Sequence, residues 1–417
     1  MKLNDFILGL VLCLLVQFSV IEVHFFAYFL VLILFYSKIS SKLFNSISFL
    51  VLILGIGCIS SLFQSQTLYN FIKDLTYFTK PILAIITGYL IAKKIVNFSR
   101  FLAIIIYITF FFSIIHIINI VVNVDFSISS RSDIRKVGGI SNISEVFVLI
   151  ILIGSFKYRF LNVVRNKLLK KVILIITIIS FTLYFSRTMI VAFIILLSSI
   201  YGYLKITTKG IKYGVLLSLF FGLFYVYLFS IDLDRGKPGL ESFFYKMKIA
   251  PSEIFTPINK IDPNNHAYLW DHWRAYEATL AIEQMNTPIT YFVGKGFGSL
   301  VDLKFKVLLG GDEKMRYIPV IHNGYVNIFF KTGIIGVTIY FLFLLDLYLF
   351  TYKNESSEKA SIINNLIAGI SIYFLFSSLI INGVYNIEEV FTFLLGSLFF
   401  FRKQLTKKIN ENRNNWY

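Results

Sequence analysis

Four side chains in this sequence could do chemistry together: Arg135, Arg187, Arg274 and His322. Guanidinium groups match phosphate oxygens with forked, charge-assisted bonds. An imidazole with a pKa near ~6.5 takes a proton from a hydroxyl at neutral pH. Together they suit a substrate with a diphosphate at a lipid surface and a sugar hydroxyl as nucleophile. Each residue also has a plainer reading. His322 opens the apolar stretch VIHNGYVNIFFKTGIIGV at positions 320–337, where a lone interfacial histidine is commonly structural. Arg187 sits in FSRTM between two short apolar runs. A guanidinium at depth costs roughly 2.5–3.5 kcal/mol on insertion scales, unless it snorkels to the surface. Arg274 lies in YLWDHWRAYEATLAIEQM with Asp271 and Glu277 three residues to either side, the spacing of a surface ion-pair row on a helix. Trp270, Trp273 and Tyr276 beside it suit a membrane interface or a sugar ring. Arg135 shares RSDIRKVGGISN with Arg131 and Lys136, which reads as an anion site or as a solvated loop.

Other motifs carry less. VGKGFGS, with Gly294, Gly296 and Gly298, reads as a turn, because the strand and helix that nucleotide-binding glycine patterns need are missing. Asp232 and Asp234 form a D-x-D without a histidine cluster, so no metal site is expected. Cys13 and Cys58 lie in apolar runs without metal-ligand or disulfide spacing.

The elements that must hold these side chains are membrane helices. The chain has 417 residues, 57% of them hydrophobic and only 15% charged. Repeated apolar runs predict an all-α polytopic membrane protein, since backbone polar groups in lipid must bond within their own segment. Twelve spans are expected, at 6–20, 24–37, 46–64, 74–92, 101–123, 143–156, 172–186, 188–204, 213–230, 324–350, 362–382 and 388–401. The run 172–203 as one helix would be about 48 Å long at ~1.5 Å per residue, so a tight hairpin is placed at Ser186–Thr188. The apolar stretch from residue 6 lacks a small-residue cleavage site and reads as a retained first helix. Few charges fall inside these runs; Lys80 and Asp346 are the ones noted.

With both termini inside, twenty-two of the 40 basic residues but only four of the 23 acidic ones fall on the inner side. The positive-inside rule then absorbs the formal charge of +17 without any nucleic-acid partner. Residues 1–230 hold nine spans, 231–322 a large external loop with short helices, and 323–417 three spans and a basic inner tail. The loop carries six of the seven prolines and is charge-balanced, which marks a folded element with a job rather than a linker. On this topology all four candidate residues face the outer side.

Four segments resemble the bacterial O-antigen ligase/polymerase superfamily, the Wzy and WaaL proteins. IHNGYVNIFFKTGIIGV is similar to its His-Asn…Gly-x-x-Gly signature, FSRTMIVAF to its Ser-Arg hairpin, and WRAYEATLAI followed by YFVGKGFGS to its loop element. RKVGGISNISE resembles its Arg-x-x-Gly…Asn stretch, with Ser141 where the family carries a proline. The resemblance implies a GT-C-like membrane glycosyltransferase in the bacterial inner membrane that needs no metal or other cofactor. Its partners would be undecaprenyl-diphosphate-linked glycans as donor and acceptor, membrane lipid, and a chain-length regulator protein. Arg187, Arg274 and Arg135 would bind the donor diphosphate, with Arg274 also catalytic, and His322 would activate the acceptor hydroxyl. The expected activity is polymerisation of O-antigen or capsule repeat units. Ligation of the finished glycan to lipid A–core is the alternative, and a lipid-linked sugar flippase is the alternative of another class.

Overall fold

The computed structural model describes the chain except for residues 1–2, 18–19, 65, 126–130, 139–141, 238–239, 263–264, 309–313, 354–356, 387–389 and 415–417. It is predominantly helical. The first part contains α1 (Leu3–Gln17), α2 (Ile21–Phe35), α3 (Ser41–Ser61), α4 (Leu68–Ile95), α5 (Phe98–Asn123), α6 (Arg131–Gly138), α7 (Ile143–Gly154), α8 (Lys167–Leu183), α9 (Arg187–Ile200) and α10 (Thr208–Ser230). Then come α11 (Leu240–Lys248), α12 (Ala250–Phe255), α13 (His266–Glu283), α14 (Pro288–Val293), β1 (Val301–Leu308) and β2 (Lys314–Ile318). The chain closes with α15 (Gly324–Tyr348), α16 (Glu358–Ile380) and α17 (Val390–Asn414).

Six helices among the described residues are long and apolar enough to cross a membrane: α3, α4, α5, α10, α15 and α16. Each of the twelve expected segments falls on a helix, but α1, α2, α7 and α9 are shorter apolar helices. At ~1.5 Å per residue, the 12 residues of α7 reach about 18 Å, against a hydrocarbon core of ~30 Å. Polar caps set many helix starts. Ser40, Thr67, Asn97, Asn142, Asn166, Ser186, Thr207, Asn265, Thr287 and Asn323 each accept a first-turn N–H.

The bundle is built around α4 and α17. A Cβ on Gly88 would lie 1.9 Å from the Phe393 carbonyl oxygen, and one on Gly396 would lie 1.8 Å from that of Ile85. The two backbones therefore touch where both helices carry glycine, as small residues allow in membranes. The apolar windows of α4 and α16 are 72% buried, while that of α10 is only 6% buried. α10 is thus a peripheral helix that leaves its apolar surface to lipid.

The apolar runs carry more charge than the sequence reading credited. Besides Lys80 and Asp346, the buried side chains Asp74, Glu145 and Lys331 lie in helices α4, α7 and α15. Asp74 and Lys331 pair at 2.5 Å. Glu145 accepts from Ser113 and Ser180, each at 2.7 Å. Such groups are tolerated at depth only when partnered inside the bundle.

The segment after α10 has a core of its own. Leu269, Trp273, Tyr276 and Leu280 of α13 pack on Val301 and Leu303 of β1, Ile318 of β2, and Phe330 at the start of α15. The sequence reading foresaw short helices here, but not the antiparallel hairpin with Val301 opposite Ile318 and Leu308 opposite Lys314. It also placed Arg131–Gly138 in a loop, where the structure has the short helix α6. Gly139 and Ser141 of that stretch lie outside the described residues.

The VGKGFGS segment is a turn, with Gly294, Gly296 and Gly298 all at positive φ. Its role follows from α15, which breaks at Gly333 (φ 64°, ψ −168°). The turn docks on the break: Lys295 N–H donates to the Phe330 carbonyl at 2.8 Å and Gly296 N–H to that of Lys331 at 3.0 Å. Those carbonyls precede the kink, so the turn supplies donors where the helical ladder is interrupted. Phe297 inserts against Gly57 of α3 and is fully buried. Gly298 N–H donates to Asp74 at 2.6 Å. The anion held by this glycine nest is the protein's own carboxylate.

Candidate functional site

Arg135, Arg187 and Arg274 line one cavity of about 530 Å³. Four elements bring them together. Arg187 is the first residue of α9, fixed by the Ser186 cap and by the reversal at Phe185 (φ 45°). Arg274 lies in the middle of α13, and Arg135 on the exposed side of α6. The fourth element, α12, lines the cavity with Ala250, Pro251, Glu253 and Ile254.

The remaining wall is apolar. Ile190, Val191 and Ile194 of α9 face Leu217 and Phe221 of α10 and Phe376 of α16. The cavity thus runs from three cations into a cleft beside the lipid-exposed helix α10. That is the outline of an amphiphile with an anionic head.

Arg274 does not form the surface ion-pair row that its neighbours in sequence suggested. Asp271 turns to α11, where it accepts from Lys246 and, at 2.9 Å, from Tyr245. Glu277 turns to His322. Arg274 itself points at Glu253, with Nη1 3.6 Å from Oε1. Arg187 reaches the same carboxylate, donating from Nη2 to Oε2 at 2.9 Å, and also donates to the Lys246 carbonyl. Burial presses the pKa of Arg274 down, Glu253 opposes this, Arg187 adds to the depression, Glu277 opposes it, and Arg135 depresses it further. An arginine keeps its charge under such pressure, so the three guanidinium groups form one electrostatic unit.

His322 does not line the cavity. It is joined to it through α13, where Glu277 stands three residues beyond Arg274, about 4.5 Å along the axis at ~1.5 Å per residue. Glu277 is fully buried and accepts twice from His322, from the backbone N–H and from ring Nδ1 at 2.9 Å. A carboxylate on Nδ1 fixes the tautomer with its proton there, leaving the lone pair of Nε2 for a substrate. The ring is 53% exposed, so Nε2 can be reached. Burial alone would lower the histidine pKa. The hydrogen bond and charge of Glu277 outweigh both that and the repulsion of Arg274, and the net shift is upward. Asn323 caps α15 by accepting from Val326 N–H at 3.2 Å, so the His-Asn pair is a catalytic-type side chain followed by the residue that fixes its helix.

The sequence reading missed two members of the site. Glu277 was noted only as a flank of Arg274, and Glu253 was not noted at all. The i, i+3 spacing of Arg274 and Glu277 was the available signal for a shared face. Nothing in APSEIF around Glu253 announces a role. Compared with the known protein families, the curated proteins and the solved structures, the chain matches none of them.

Proposed function

We propose that this chain is a metal-independent membrane glycosyltransferase that polymerises undecaprenyl-diphosphate-linked repeat units into O-antigen or capsular polysaccharide. It would act at the outer face of the bacterial inner membrane, with twelve spans of GT-C-like plan and both termini inside. The observation that carries this reading is the single cavity that joins Arg135, Arg187 and Arg274 to a lipid-side apolar wall, with a carboxylate-held histidine on the same helix as Arg274.

The chemistry follows from those groups. The arginines hold the donor diphosphate and stabilise the charge that develops as it leaves. Glu277 keeps His322 oriented, and Nε2 takes the proton of the acceptor hydroxyl as its oxygen attacks the anomeric carbon. Attack opposite the departing diphosphate inverts that centre.

A gel of surface glycans from cells lacking the gene tests the reading. Loss of the long-chain ladder with a single repeat left on the core is the polymerase outcome. Absence of any repeat on the core, with long lipid-linked chains accumulating, would move the reading to ligation. Purified His322→Ala protein should fold and lose at least ~100-fold in transfer, the scale of a general base. Full transfer by that variant would exclude the assigned role. It would also favour a transport function if lipid-linked sugar were still moved.

A further inference from the structure

Glu253 sits where an anionic ligand would. It is buried on α12, and its two oxygens face different cations. Oε2 takes a hydrogen bond from Arg187 at 2.9 Å, while Oε1 stands 3.6 Å from Arg274 and 3.9 Å from Lys246. The second set is too long for hydrogen bonds. Arg274 Nη1 is buried and has no hydrogen-bond partner among the described residues. One carboxylate therefore satisfies one guanidinium and leaves the other short of an acceptor. The charged residues lining the cavity are Arg135, Arg187, Arg274 and Glu253, three positive and one negative, a formal +2.

We propose that Glu253 is a specificity-determining residue that matches this site to a diphosphate diester and against a free lipid diphosphate. The proposal rests on the glycosyl-transfer reading above. A lipid–diphosphate–sugar carries two negative charges and neutralises a site of +2. In the reaction the bond from the anomeric carbon to the diphosphate oxygen breaks, and its electron pair stays on that oxygen. A new bond forms from the acceptor oxygen to the same carbon, and the hydroxyl proton passes to His322. The departing lipid diphosphate then carries close to three negative charges at neutral pH, because the second ionisation of a terminal phosphate lies near ~6. The added charge has no matching cation and meets the carboxylate of Glu253 in a cavity of low dielectric. Donor binding is retained and product is expelled.

The test uses the full-length purified protein with undecaprenyl diphosphate as the probe. Two neutral variants, Glu253→Gln and Glu253→Ala, are read against Glu253→Asp, which keeps the charge. We expect the inhibition constant of undecaprenyl diphosphate to fall at least tenfold in a neutral variant, while the donor KM falls by less than threefold. Steady-state turnover should then drop below the single-turnover rate as release becomes limiting. Glu253→Asp should stay within about twofold of the wild-type ratio. Equal changes in both constants, or the same change in the Asp variant, would overturn the proposal while leaving the transferase reading intact. A wild-type protein that neither transfers glycan nor binds undecaprenyl diphosphate would overturn both.

Discussion

At the scale of single residues, the pair His322–Glu277 makes the sharpest claim. Its raised pKa keeps the imidazole protonated to a higher pH than a free histidine. A general base must be neutral, so transfer should rise with pH through that raised value. Glu277→Gln removes the group that lifts it and leaves burial and Arg274, which lower it. The acid limb of the pH–rate profile should therefore move to lower pH in that variant, and the plateau should fall as the ring loses its orientation. An acid limb that stays in place would rule out His322 as the titrating base. The same shift affects stability. The charged pair supports the fold fully below the unfolded imidazole pKa of ~6.5, and this support is lost as pH rises through the raised folded value. Residue types made His322 and the arginines legible in the sequence. Partner choice did not show there, because Glu253 and Glu277 owe their roles to contacts across 66 and 45 positions of chain.

At the scale of elements, apolar runs identified the long helices and polar caps fixed their starts. The hairpin β1–β2 escaped notice because its two short strands stand outside the apolar runs, and α6 because eight polar-rich residues look like a loop. The splice between the Gly-rich turn and the break in α15 was equally hidden, since neither segment shows alone what it completes. It makes a clear prediction. Gly333 combines φ 64° with a Phe292 carbonyl oxygen 2.2 Å from any added Cβ. Gly333→Ala should cost more than the ~1–2 kcal/mol of a left-handed residue alone, because the backbone of α14 must also shift. Gly222→Ala in α10 has nothing within 4 Å of the new methyl and should be neutral or stabilising by up to ~1 kcal/mol. Thermal unfolding in detergent compares the two; equal midpoints would show that the turn is not needed to complete α15.

At the scale of the whole molecule, hydropathy and the distribution of lysine and arginine implied a many-helix membrane protein, and the described residues contain six helices suited to crossing. What ties the outer segment to the bundle was not legible, because it is a contact between residues 257 positions apart. Lys331 donates to Asp74 at 2.5 Å and also to the Ser299 carbonyl, with both side chains almost fully buried. Lys331→Met alone strands a buried carboxylate and should cost about 3–5 kcal/mol. Adding Asp74→Leu should recover most of that loss, measured by the same unfolding assay. A double variant as unstable as the single one would mean that the pair does more than neutralise itself.

The Gly-rich turn also defines where this protein can be cut and rejoined. Part of the hydrogen-bond ladder of α15 is written in residues 295 and 296, on the far side of the hairpin from the helix it completes. A hybrid that exchanges the outer segment at the ends of the flanking helices would leave α15 with two unmatched carbonyls inside the membrane. The natural seam for such a hybrid lies just before Gly294, so that the turn and the broken helix are inherited together.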